Sequence, residues 1–204
     1  MKTILVAIAG GSGSGKTWLA RELQRRLRPH AALLSLDDFY HDLAGLPLAE
    51  RAKVNFDHPE AIDWELFHEC LAGIREGGAV TVPRYDFSQH TREPRGRRWP
   101  ARPVVLVEGL WPWRRSAVAR LYSLRVFRAG GDEVCLARRL ERDVRERGRS
   151  EDSVHTQWHS HVQPMYRRFV APQAATAHVR LPREVPEWRL DRIAARIRRL
   201  ADVS

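Results

Sequence analysis

The chain has 204 residues, 43% of them hydrophobic, with 35 basic against 25 acidic side chains and a formal net charge of +10. That length suits one domain with a sizeable core, or a core domain with a small appended lobe, and no apolar run approaches the ~18 residues of a membrane-spanning helix. Two distant cysteines, Cys70 and Cys135, argue against a disulfide framework, and with no apolar leader ahead of the first strand the expectation is a cytoplasmic protein without a membrane partner.

Residues 3–9 are a near-continuous apolar run, the pattern of a parallel strand buried on both faces. They lead into Gly10-Gly11-Ser12-Gly13-Ser14-Gly15-Lys16-Thr17, and residues 16–28 then carry Leu19, Leu23 and Leu27 at helical spacing up to Pro29. Strand, glycine turn and helix are the setting in which G-x-x-x-x-G-K-[ST] cradles a polyphosphate: the glycines let backbone N–H groups converge, and the helix adds its positive end. Lys16 is expected to reach the terminal phosphates and the Thr17 hydroxyl to ligate Mg²⁺. The chain writes nearly all its positive charge as arginine and keeps lysine only at Lys2, Lys16 and Lys53; a compact ammonium on a flexible stem is what such a loop can hold.

A second strand over 31–36 delivers Asp37-Asp38-Phe39-Tyr40 to the sheet edge where ligands bind in open α/β folds. Aspartate after a strand is commonly a cap or turn residue; opposite a phosphate cradle Asp37 reads as a general base, with Asp38 the alternative. Residues 41–54 read as a loop with one helical turn. A helix follows over about 60–76, striped by Ile62, Leu66, Phe67, Leu71 and Ile74 and closed by Gly77-Gly78. Residues 80–87 read as a hairpin or ribbon running into the arginine-rich stretch 88–102, so 80–102 is the candidate small lobe.

Residues 103–107 are another buried strand, ending at Glu108-Gly109; Glu108 is either a buried structural acid or a metal-site acid. Trp111-Pro112-Trp113 reads as packing. A fourth core strand spans 124–127. The helix predicted over 133–147 turns Val134, Ala137, Leu140 and Val144 inward and its arginines outward. Ser150, followed by Glu151 and Asp152, caps a helix running to about residue 170, with Val154, Trp158, Val162, Met165 and Phe169 as its stripe and a kink at Pro164. His155, His159 and His161 invite a zinc reading that lacks a third ligand type nearby. Residues 178–181 are the fifth strand, and 186–201 close the chain with Leu190, Ile193, Ile197 and Leu200. Strands alternating with helices predict a three-layer α/β fold on a five-stranded parallel sheet, one domain over 1–204.

The loop specifies phosphate binding, and other residues must say what becomes of the phosphate. A GTPase needs N-K-x-D, but the chain has a single asparagine, Asn55. A mechanical ATPase calls for an apolar strand ending in aspartate, whereas this one ends in Glu108. Arg138, Arg139, Arg142, Arg145, Arg147 and Arg149 would ordinarily be a solvated helix face; guanidinium forks at the turn 146–149 could instead close over an anionic donor, as a lid over 138–158. Size and this hairpin fit a small-molecule kinase. A basic nucleic-acid-binding ATPase tracking a backbone with residues 92–102 is the rival from another class.

The ordered motifs resemble the uridine kinase (uridine-cytidine kinase) family of P-loop kinases. They are G-x-x-G-S-G-K-T at 10–17, D-x-F-Y at 37–40, N-F-D-H-P-x-A-x-D at 55–63, P-x-Y-D-F-x-x-H-x-R at 83–92, E-G at 108–109, R-R-x-x-R-D-x-x-E-R-G-R at 138–149, and Gln157. The resemblance implies transfer of a phosphoryl group from ATP or GTP, with Mg²⁺, to the 5′-hydroxyl of uridine or cytidine. It assigns Asp37 as the base, Asp57 and Arg139 to the ribose hydroxyls, and Tyr40, Phe56, Tyr85, His90 and Arg149 to the nucleobase pocket. Glu108 would support Mg²⁺ through water, Arg142 and Arg147 would be lid groups on the donor phosphates, and Gln157 would brace the substrate side. Related kinases of pantothenate, nicotinamide riboside or ribulose phosphate are the nearest alternatives; they give no reason for Tyr85 and His90 together. The chain departs from the family pattern at 128–131, where Arg-Ala-Gly-Gly replaces an acidic segment, and again at 174–178 and 183–186. These later positions bear on the donor base and on the family's tetramer, and a homo-oligomer is among the states it implies.

Overall fold

Apolar runs become strands buried on both faces, and their order brings the glycine loop to the middle of one sheet edge. The computed structural model describes residues 2–203, the side chains of Glu146 and Arg147 excepted. In chain order, β1 (Ile4–Gly10), α1 (Lys16–Arg26) and β2 (Ala31–Ser35) are followed by the short α2 (Leu48–Arg51) and by α3 (Trp64–Arg75). The small lobe holds β3 (Thr81–Val82), β4 (Tyr85–Asp86), β5 (Thr91–Arg92) and β6 (Arg97–Arg98). Then come β7 (Val104–Gly109), α4 (Ser116–Ala119), β8 (Tyr122–Arg128), α5 (Asp132–Arg147), α6 (Glu151–Gln157), α7 (Gln163–Met165), β9 (Val179–Leu181) and α8 (Glu187–Ala201).

The main sheet has five strands in the order β2-β7-β1-β8-β9, every pair parallel. The chain leaves central β1 toward β2 on one side and reaches β8 and β9 on the other, so the crevice of an open α/β sheet lies at the C-terminal end of β1. Register sets Glu108 beside Ile8 and Ser35, level with the start of the glycine loop.

Two apolar layers cover the sheet. On one face α1 and α8 contribute Leu19, Leu23, Leu27, Leu190, Ile193 and Ile197 against Val6, Ile8, Leu106 and Val126. On the other, Phe39, Phe67, Leu71 and Trp111 pack on Leu5, Ala7, Val105 and Val107. This is the expected three-layer α/β fold.

Several local expectations need correction. Asp37 and Asp38 follow the strand in a 3₁₀ turn, Leu36–Phe39, where the Ser35 hydroxyl accepts from the Asp37 N–H at 3.2 Å. The helix expected from about residue 60 starts at Trp64, because Asp63 accepts from the Leu66 N–H at 3.1 Å and caps it there; Ile62 is buried ahead of it, and Leu66 is only half-buried. The arginine stretch is partly strand: β6 returns to pair antiparallel with β3, and β5 pairs with β4. Around Pro164 the helix does not simply kink; residues 158–162 and 166–170 are wound as π-turns on either side of α7, a wider winding that accommodates the missing N–H and the ring. In α8, Leu200 is 43% exposed, since the buried series Leu190, Ile193, Ala194, Ile197 continues to Ala201.

The largest correction concerns α5. Ala137 and Val144 are exposed, and Val134 and Leu140 only half-buried; the buried stripe is Cys135, Arg139 and Asp143. That side of the helix faces the crevice, where a cluster of opposite charges takes the place of an apolar seam. No helix among the described residues is long and apolar enough to cross a membrane.

Candidate active site

The glycine loop joins β1 to α1, and two of its glycines have backbone angles that only glycine adopts without strain. Gly13 has φ 75° and Gly15 φ 87°. A Cβ on Gly13 would lie 2.3 Å from the Cys135 carbonyl oxygen, so the loop and α5 approach backbone to backbone. Lys16 and Thr17 open α1 and stand at the positive end of its dipole.

Facing them are two acids. Glu108, 7% exposed at the end of β7, accepts a hydrogen bond from the Thr17 hydroxyl; burial pushes its carboxyl up, Lys16 opposes this, and the nearby Asp37 reinforces it. Glu108 Oε2 and Asp37 Oδ1 are buried oxygens with no hydrogen-bond donor among the described residues. Orphaned carboxylate oxygens beside a threonine hydroxyl are hard, anionic ligands, and they fit Mg²⁺ held directly or through water. Asp38 is differently placed. Its carboxyl is pushed up to about 6, chiefly by burial and against the pull of Arg97, which stands 3.6 Å away on β6. Asp37 lines the crevice with Lys16, and Asp38 is not among its lining residues.

From Lys16 and Asp37 a cavity of about 400 Å³ extends toward the small lobe. Its far end is aromatic: Tyr40 meets Phe56 edge-on at 5.1 Å and Tyr85 at 5.3 Å, while Phe56 and His90 stack at 4.9 Å. The Tyr40 hydroxyl donates to the Phe56 carbonyl at 3.1 Å, tying the two segments together. Between β4 and β5, Asp86 accepts from the N–H groups of Ser88 and Gln89 at 2.8 and 3.2 Å. That tight turn delivers His90 at φ 52°, a left-handed conformation uncommon outside glycine.

The third wall is the charged side of α5 and α6. Asp143, fully buried, accepts from Arg142 Nε at 2.8 Å and pairs with Arg139 at 3.3 Å and Arg149 at 3.4 Å. Arg139 also donates to the Ser12 hydroxyl at 3.1 Å and to Gln157 Oε1 at 3.3 Å, and lies 3.9 Å from Asp57. Arg149 donates to the same Gln157 oxygen at 2.5 Å. Burial pushes the Asp57 carboxyl up, with Arg139 the main opposing charge. One network thus links the glycine loop, Asp57 and the α5–α6 turn; the Arg147 side chain lies outside the described residues.

Sequence reasoning located the walls of this cavity but missed their hub. Asp143 is the aspartate of the arginine motif at 138–149 but carries no assigned role there, although its spacing of four from Arg139 is a signal. Lys53, Asn55, Ser88 and His161 also line the cavity; Asn55 and Lys53 were rare residue types in this chain, a weak compositional signal. Among the described residues no group of three or more His, Cys, Asp or Glu is placed to hold a metal, so the histidines of α6 and the following turn give no zinc site, and His161 instead lines the cavity with Asp57.

Comparison with known proteins agrees with this geometry. Residues 5–188 match the model of the Phosphoribulokinase / Uridine kinase family. The uridine kinase of Tolumonas auensis is 37% identical over 185 residues, covering 88% of this chain and 86% of its own. That of Staphylococcus aureus strain Newman is 38% identical over 181 residues, covering 88% and 87%. Among solved structures, phosphoribulokinase from Rhodobacter spheroides superposes with a TM-score of 0.65 at 16% identity, over 89% of this chain and 70% of that one, a likeness of fold. With its phosphate loop, crevice acids and matched length, the chain belongs to the phosphoribulokinase/uridine kinase family of P-loop kinases.

Proposed function

We propose that the protein transfers the γ-phosphoryl group of ATP to the 5′-hydroxyl of uridine or cytidine, giving the nucleoside monophosphate, in the cytoplasm. The observation that carries this is the single cavity running from Lys16 and Asp37 to the ring cluster of Tyr40, Phe56, Tyr85 and His90. Its lining puts an acid at one end, for the 5′ end of a nucleoside, and rings at the other, for the base.

The residues act mainly by positioning. The glycine loop and Lys16 bind the donor phosphates. Thr17, and Glu108 through water, would hold Mg²⁺, which would supply neutralising charge for the phosphate oxygens. Asp37, with an oxygen that meets no hydrogen-bond donor among the described residues, accepts the 5′-hydroxyl proton as the hydroxyl oxygen attacks the γ-phosphorus and the bond to the β-phosphate oxygen breaks, releasing ADP. Asp57, oriented by Arg139, accepts from the ribose hydroxyls, and Phe56 and His90 present a flat surface to the base. A neutral His90 donates to the uridine O4 in one tautomer and accepts from the cytidine 4-amino group in the other, so both bases are accommodated. The arginines of the α5–α6 turn exclude water and offset developing charge. The uridine kinase relatives support the same reading.

A phosphoryl-transfer screen of nucleosides with ATP and GTP tests it. Uridine and cytidine should be converted, purine nucleosides should not, and 2′-deoxyuridine should fall at least ~10-fold behind uridine in kcat/KM, because a missing hydroxyl strands a buried acceptor. Comparable turnover of adenosine and uridine would overturn the pocket assignment. Turnover only of another small hydroxyl compound would overturn the function.

A further inference from the structure

Arg128 is the last residue of β8, and no step above uses it. Its side chain is nearly buried, at 5% residue exposure. Nε donates to the Ser14 carbonyl at 2.9 Å, Nη2 to the Arg183 carbonyl at 2.9 Å, and Nη1 reaches the Pro182 carbonyl at 3.5 Å. The guanidinium lies over the Trp18 ring at 5.3 Å. The charged side chain beside it is another cation, Arg138, and no carboxylate among the described residues pairs with it. A Cβ on Gly15 would sit 3.1 Å from Arg128 Nε, and one on Gly10 would sit 2.7 Å from the Arg128 carbonyl oxygen. The residue therefore touches the glycine loop at both ends.

An anion cradle works only if peptide N–H groups point in and carbonyls point out. In a trans peptide the two point in opposite directions, so the bond from Arg128 to the Ser14 carbonyl turns the Gly15 N–H away from Arg128. Arg138 holds the Gly13 carbonyl in the same manner at 3.3 Å. The cation is not cancelled by a local acid, so its field remains available to a polyphosphate on the loop. We infer that Arg128 is a positioning residue for the donor polyphosphate, pinning the Ser14 carbonyl outward and tying the glycine loop to the 182–183 segment after β9. This rests on the reading of the loop as the donor-phosphate site.

Calorimetric titration of the full chain with inorganic tripolyphosphate, and separately with uridine, tests it in wild type, Arg128→Met, Arg128→Lys and Lys16→Ala. Arg128→Met should weaken tripolyphosphate by about tenfold or more, the scale of one lost charged hydrogen bond, while the uridine Kd stays within about twofold. Arg128→Lys keeps the charge and can hold only one carbonyl, so it should fall between wild type and Arg128→Met; it carries the test if the methionine variant does not fold. Wild-type tripolyphosphate affinity in Arg128→Lys, or an equal loss of tripolyphosphate and uridine binding in either variant, would overturn the positioning role. If wild type binds no tripolyphosphate, or Lys16→Ala binds it equally well, the donor-site reading falls and this inference with it; binding lost in Lys16→Ala but kept in Arg128→Met removes the inference alone.

Discussion

Helices α8 and α5 are of similar length and both rich in arginine, yet they bury opposite kinds of residue. Helix α8 obeys the apolar period, with Leu190, Ile193, Ala194 and Ile197 against the sheet, Arg192, Arg196 and Arg199 exposed, and Arg189 and Arg198 half-buried. Helix α5 inverts it: Val144 is 37% exposed while Arg139 and Asp143 are buried. A charged stripe is buried without ruinous cost only when its charges pair with one another, as Asp143 does with three guanidinium groups. The difference teaches that an element packed on a core and an element packed on a crevice follow different rules, and that polar residues at helical spacing can be the inward face.

The comparison can be broken or sharpened by substitution. The largest effect belongs to the crevice chemistry: Asp37→Asn should lower kcat by ~10²–10⁴ with uridine binding nearly unchanged, the scale of a lost general base. Steady-state kinetics beside a uridine titration decides it, and full turnover would remove the base role from Asp37. Next, Asp143→Ala should destabilise the fold by about 3–5 kcal/mol in denaturant unfolding, because it strands buried guanidinium charge. A loss below about 1 kcal/mol would mean that α5 does not rest on that pairing. On the core side, Ile193→Ala should cost about 2–5 kcal/mol of stability while leaving kcat/KM of the folded enzyme unaltered; a specific loss of activity would erase the distinction between the two helices.

A smaller effect lies at the crevice rim. Burial pushes the Asp38 carboxyl up to about 6 in the folded protein from its ordinary value of 3.8, so between those values the folded state binds more protons than the unfolded state. Stability from this group must therefore fall as pH rises from about 4 to about 6 and stay lower above it. The stability of wild type relative to Asp38→Asn should drop by on the order of 1 kcal/mol across that window, after allowance for solvent screening. A difference that stays flat with pH would contradict the burial of Asp38. Smallest of all, Val144→Ser should change stability by no more than about 0.5 kcal/mol. A cost of about 2 kcal/mol in the same unfolding assay would restore the apolar-inward reading of α5.

The glycine loop, the alternation of strands and helices, the apolar stripes of α1 and α8 and the Ser150 cap were all legible in the amino-acid order. Each is local: a strand run, a 3.6-residue period or a cap depends on neighbours within a turn or two. The uridine-kinase-like motifs likewise named most of the cavity walls, from Asp37 and Asp57 to His90 and Gln157. Only the tertiary structure decided the strand order that sets Glu108 level with the loop, the separation of Asp37 in the crevice from Asp38 against Arg97, the rotation of α5 that buries Asp143, and the contact of Arg128 with Ser14 across 114 positions of chain. Those outcomes rest on which charges and carbonyls meet across long sequence separations, and burial of a charge is favourable or costly according to partners that spacing along the chain does not specify.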